Sequence, residues 1–178
     1  MRFPNFIIGA LTAICFASCA GPDIAGNHTV FSHEVSVIGT SARGGEMTKA
    51  IVASMNESES CEASVMTTDA SVDALKGLNI KSVQASRPEN LAKLRELGWD
   101  AFLRIDTTNN PMADSPKSVT VTLISTHDPE QVIEFVWTNA WGGMPGSLAD
   151  ASMRKGLADA AALVSDELTA RLAASKHE

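Results

Sequence analysis

The chain reads as a single α+β domain: a mixed sheet of about five strands that includes an antiparallel hairpin, packed against two to three helices, with a long C-terminal helix. Three observations predict this class. Short β-branched runs alternate with segments of helical apolar spacing; two longer β-rich runs are separated by the turn residues His127, Asp128 and Pro129; and one apolar stripe runs through the C-terminal segment.

Ahead of that domain, Met1 and Arg2 precede an apolar run from Phe6 to Phe16, and then come Ala17, Ser18, Cys19 and Ala20. A charged start, a short apolar core and small residues at the exit make residues 1–18 an export signal. The run is about 11 residues, well short of the roughly 20 a helix needs to cross a bilayer. Phe16, Ala17, Ser18 and Cys19 also resemble a lipobox, in which the cysteine is acylated and becomes the new N-terminus. Cys19 is therefore the expected lipidation site, with cleavage after Ala20 and release of a soluble chain as the competing outcome. Cys15 is the poorer candidate because bulky Ile14 precedes it. Ala20, rather than Asp, after the cysteine favours the outer membrane where the familiar sorting rule holds. Residues 19–32 then read as lipidated N-terminus and tether, since Ala20 to Thr29 holds Gly, Pro, Asp, Asn and small side chains without periodicity.

The domain is expected over residues 33–175. His33 to Gly39 suits a first strand, and Gly44 and Gly45 open a helix in which Met47, Ile51, Val52 and Met55 share a face. Ala63 to Thr67 is a short second strand, and Val72 to Leu78 a brief helix. Ser86 followed by Glu89, with Pro88 in the first turn, predicts a capping box for a helix that carries Leu91, Leu94 and Leu97 to the core and stops at Gly98. Trp99 to Ile105 follows as a strand, and Ser118 to Thr126 with Gln131 to Trp141 forms the hairpin, Ile133, Phe135 and Trp137 sharing its buried face. Ser147 caps a final helix whose stripe is Met153, Leu157, Ala160, Val164, Leu168 and Leu172.

Composition narrows the function classes. Cleavage before Cys19 takes 18 of the 178 residues and leaves 160, enough for one domain with a core. The mature chain then holds 13 basic against 21 acidic side chains, a formal charge of −8 that repels phosphate backbones and argues against nucleic acid as a partner. With Cys15 lost and Cys19 acylated, Cys61 has no disulfide partner, and Glu59 and Glu62 beside it disfavour a thiolate. Gly39 to Met47 lies where a phosphate-binding loop would, but Gly45 and Glu46 stand where that loop needs Lys and Ser or Thr. His28, His33, His127 and His177 show no metal-ligand spacing, no Gly-x-Ser-x-Gly run exists, and Glu57, Glu59 and Glu62 sit in a polar, Ser-rich stretch. No catalytic residue, metal or cofactor is expected, and the chain is read as a non-enzyme. Trp141, Met144 and Pro145 place large apolar side chains at the end of the hairpin and in the loop beyond it, which makes them the candidate partner contacts.

From Thr67 onward the layout resembles a group of envelope lipoproteins. A short helix from Ser71 to Leu78, a capped helix, the stretch Leu-Gly-Trp-Asp-Ala-Phe-Leu at Leu97 to Leu103, a hairpin and a long final helix are similar to the curli-secretion lipoprotein family and its relatives, the lipoprotein activators of peptidoglycan synthases and the N-terminal domain of the Tol-system propeller protein. The chain departs from that pattern at the hairpin, where His127, Asp128, Pro129 and Glu130 replace a Thr-Gly turn, and it has no insertion able to form the transmembrane hairpins of the curli pore. The resemblance implies a non-catalytic domain that binds other envelope proteins. The expectation is an outer-membrane lipoprotein facing the periplasm, docking on an envelope protein or on a second copy of itself in envelope assembly, secretion or peptidoglycan-synthase regulation. A periplasmic small-ligand-binding lipoprotein is the alternative.

Overall fold

A computed structural model describes residues 22–109, 115–142 and 147–175. Cys19, Met144 and Pro145 lie outside the described residues. Six strands form one mixed sheet in the order β1-β6-β5-β4-β2-β3. They are β1 (Asp23–His28), β2 (Val37–Thr40), β3 (Ser64–Val65), β4 (Ala101–Asn109), β5 (Pro116–Ser125) and β6 (Val132–Thr138). The helices are α1 (Glu46–Glu57), α2 (Thr68–Gly77), α3 (Pro88–Glu96), α4 (Leu148–Met153) and α5 (Leu157–Ala174), with a single 3₁₀ turn at Ser82–Gln84. The α+β class is as expected, with six strands rather than about five and five described helices rather than two to three.

Strands β2, β3 and β4 run parallel, and β4, β5 and β6 form an antiparallel meander. Right-handed crossovers dictate where the helices go. The step from β2 outward to β3 puts α1 on one face, and the return from β3 past β2 to β4 puts α2 and α3 on the other. On the first face Ile38, Leu103, Ile105, Val121, Leu123, Ile133, Phe135 and Trp137 pack beneath α1 and α5, which contribute Ile51, Met55, Val164 and Leu168. On the second, Phe102 and Ile124 pack with Leu75, Leu91, Leu94 and Trp99. Gly39 belongs here for a steric reason: a Cβ at that position would fall inside the Trp99 indole.

Four expectations are corrected. Residues 23–28, read as tether, form edge strand β1, paired antiparallel with β6 from Asp23 opposite Thr138 to His28 opposite Ile133. Ile24 is partly buried against the core, and the backbone pairing that holds the strand leaves little apolar pattern in the sequence. Gly26 lets the two chains approach, because a Cβ there would strike the backbone at Glu134 and Phe135. The capping box also fails: the N-cap of α3 is Arg87, with no side-chain cap bond, and Ser86 lies one residue too early. Leu97, expected in the core, is the C-cap residue of α3 and is exposed.

The final helix is broken. Ser147 does cap a helix, its hydroxyl accepting from Asp150 N at 3.2 Å, but α4 ends at Met153 and α5 starts at Leu157. Asn139, buried after β6, clamps the break: its Nδ2 donates to Lys155 O at 2.9 Å and to Pro116 O at 2.7 Å, while its Oδ1 accepts from Lys155 N at 2.8 Å. These two bonds engage the N–H and carbonyl of Lys155, Arg154 and Gly156 on either side of it are extended, and a helix cannot run through a backbone so engaged.

Candidate functional site

Helices α1 and α5 cover the first sheet face, but α2 and α3 cover only one end of the second. No helix covers the rest of that face, where the strand register sets two rungs that are partly or fully exposed except at buried Thr122. Arg104, Thr122, Glu134 and Asn27 lie across from one another in one rung, and Asp106, Thr120, Val136 and Ala25 in the next. Asp106 bridges two cations, Arg43 Nε at 2.8 Å and Arg104 Nε at 3.0 Å. The rungs are polar apart from Val136 and Ala25, and they form a surface of mixed charge on a rigid sheet.

Next to this face, Arg43, Gly44, Gly45, Asp106, Asn109, Pro116 and Leu157 border an open cleft of about 810 Å³. Gly44 and Gly45 take left-handed φ of 79° and 52°, which glycine permits, and so turn the chain from β2 into α1. Glu46 in the first turn of α1 pairs with Lys49 at 2.9 Å and keeps a carboxylate where a phosphate would have to sit.

At the opposite end of the sheet the fold assembles a group that sequence spacing did not reveal. His33, ahead of β2, and His127, in the β5–β6 turn, lie with ring centroids 4.1 Å apart, and Phe31 stacks on His33. Asp100, just before β4, holds both segments. Its Oδ2 accepts from Ser36 N and Val37 N at 2.9 Å each, and its Oδ1 lies 3.4 Å from His127 Nε2. Its carbonyl receives Thr126 N at 2.9 Å and lies 3.3 Å from His33 Nε2. Burial disfavours the charged form of His33 and His127 adds repulsion, so the His33 pKa lies below its ordinary 6.5. For Asp100, burial pushes upward, but the two backbone donors and His127 outweigh it and bring the carboxyl below its ordinary 3.8. The signal available in sequence was topological: parallel β2 and β4, with β5 antiparallel to β4, bring the starts of β2 and β4 to the turn after β5.

His33 also borders a cavity of about 110 Å³ with Cys61, Glu62, Thr169 and Leu172. Cys61 is a free, half-buried thiol directed to Ala63 O at 3.5 Å. Among the described residues no three His, Cys, Asp or Glu side chains gather as a metal-ligand set. None of the described helices is long and apolar enough to cross a membrane. Trp137 is fully buried, as the strand pattern predicts, whereas Trp141 is 48% exposed.

No family model matches the chain, and no curated protein does. Among solved structures it is similar to the PelC dodecamer from Paraburkholderia phytofirmans, at 14% identity over 86% of this chain and 98% of that one, TM-score 0.46. A second crystal form of that dodecamer gives 13% identity over 79% and 96%, TM-score 0.42. The lipoprotein GNA1162 from Neisseria meningitidis gives 14% identity over 78% and 99%, TM-score 0.46.

Proposed function

We propose that this chain is a lipoprotein of the bacterial outer membrane, facing the periplasm, whose single domain works as a non-catalytic docking module for another envelope protein. The observation that carries the reading is Cys19, placed where the apolar run of the export signal ends and four residues ahead of the first strand. Acyl chains on that cysteine give a permanent anchor, since each buried methylene adds about 0.8 kcal/mol. The uncovered sheet face is the surface offered to the partner: flat, rigid, of mixed charge, with Arg104, Asp106, Glu134 and Val136 projecting from strands rather than loops. Assembly, secretion and peptidoglycan-synthase regulation are the processes that such an adaptor serves.

The test is affinity capture from detergent-solubilised envelopes with the lipidated protein, run beside an Arg104→Glu, Val136→Glu variant. One protein retained stoichiometrically by the wild type and lost with the variant supports docking through this face. Equal retention by both removes the face from the proposal. A small-ligand-binding lipoprotein is the second reading, favoured by the open cleft of mixed lining between Arg43 and Leu157. A compound co-purifying with the wild type and displaced by Arg43→Ala would support it.

A further inference from the structure

We infer that the sheet end bearing Trp141 lies against the bilayer surface, so that Trp141, Leu148, Lys117 and Lys155 form a lipid-facing rim. The inference rests on the reading of Cys19 as the anchor. It begins with the strand that sequence periodicity missed. Because β1 starts at Asp23, only three residues, Ala20, Gly21 and Pro22, separate Cys19 from the sheet, and the four Cα–Cα steps reach at most about 14 Å even when fully extended. Asp23 is paired with Thr138, three residues before Trp141. The acylated cysteine therefore emerges beside the C-terminal end of β6, and the membrane surface with it.

What the fold displays at that end suits a headgroup region. Trp141 is 48% exposed and Leu148 91%, and a hydrogen bond ties their neighbours together: the hydroxyl of Ser147, just before Leu148, donates to the carbonyl of Gly142, just after Trp141. Lys117 and Lys155 are brought to the same place by Asn139, whose N–H donates to Lys117 O at 3.0 Å and whose side chain grips Lys155. An exposed indole and aliphatic chain flanked by lysines is the composition of an interfacial contact, the indole at headgroup depth and the ammonium groups toward anionic lipid. Several carboxylates nearby are neutralised: Asp150 pairs with Arg154, Asp106 with Arg43 and Arg104, and Glu46 with Lys49, leaving Asp23 next to the tether and exposed Asp159 in the first turn of α5. The His33, Asp100 and His127 group, at the other end of the strands, then points away from the membrane.

The experiment uses the full-length lipidated protein reconstituted into vesicles of phosphatidylethanolamine and phosphatidylglycerol containing bromine-labelled phosphatidylcholine. Trp99 and Trp137 are buried, so the difference between wild type and Trp141→Phe isolates the Trp141 emission. The inference predicts that this difference emission is lost with bromine placed high on the acyl chain, persists with bromine near the chain end, and resists aqueous iodide. Quenching by iodide alone overturns the lipid-facing rim, and so does protection from both quenchers, which means that protein covers Trp141. In both cases vesicle flotation that depends on Cys19 leaves the anchor standing. Flotation equal in wild type and Cys19→Ala, or absent in both, removes the anchor and the rim together.

Discussion

Replacing Asp100 with alanine removes the acceptor that joins the start of β2 to the start of β4. Two backbone N–H groups, Ser36 and Val37, lose a charged partner at 2.9 Å, and His127 loses its carboxylate neighbour. Bonds to a charged acceptor contribute about 1.5–3 kcal/mol each when shielded. Here Ser36 is exposed and the carboxylate keeps 22% of its surface in water, so the lower end applies to one bond and less to the other. The sum is a cost of about 2–3 kcal/mol, which for a chain of this size lowers the Tm by about 5–10 °C. Asp100→Asn keeps an oxygen able to accept from both N–H groups and loses only the charge, for about 1 kcal/mol. Urea unfolding of the soluble domain at neutral pH, followed by circular dichroism, gives both values. An alanine variant within 0.5 kcal/mol of wild type, or an asparagine variant as costly as alanine, would refute Asp100 as the clamp.

Three further outcomes follow from the same structure. The His33 pKa lies below 6.5, so the unfolded chain takes up that proton first, and the stability present above pH 6.5 declines as the pH falls toward the lowered value; Asp100 adds a second loss only as the pH drops below 3.8. Urea midpoints at about pH 7.5 and about pH 5.5 should therefore differ in the wild type and converge in His33→Gln, and an undiminished difference in the variant would assign the effect elsewhere. Gly39→Ala drives a methyl into the Trp99 ring and should cost about 3 kcal/mol or more, read as loss of near-ultraviolet circular dichroism or of soluble yield. Asn139→Ala leaves Lys155 and Pro116 without their side-chain partners and should cost about 2–4 kcal/mol, with faster hydrogen exchange confined to residues around the α4–α5 break.

Much of the fold was legible because burial imposes periodicity. Met47, Ile51, Val52 and Met55 lie on one face of α1, and Ile133, Phe135 and Trp137 on one face of β6, as their spacing predicts. What stayed hidden was held by other forces. Strand β1 is fastened by backbone pairing and contributes a single large apolar side chain, so no alternation marks it. The break before α5 is imposed by Asn139, a residue 16 positions earlier whose amide competes for the peptide groups of Lys155. The apolar stripe crosses that break undisturbed in sequence, although Leu157 is exposed and only Ala160, Val164, Leu168 and Leu172 line the core. The meeting of His33 with His127 depends on strand order, which the local sequence does not encode. Trp141 stood out in sequence because Gly142, Gly143 and Pro145 follow it, whereas the two polar rungs of the open face became a surface only once the register aligned them.

The central claim is that Cys19 is the acylated N-terminus of the mature chain. Mass spectrometry of the N-terminal peptide from the purified envelope form tests it most directly. The account predicts a peptide that begins at Cys19 and carries diacylglycerol, with or without a third chain on the amine, and a Cys19→Ala variant recovered in the soluble periplasmic fraction with its circular dichroism unchanged. An unmodified peptide beginning at Gly21, or one that retains residues 1–18, would contradict it.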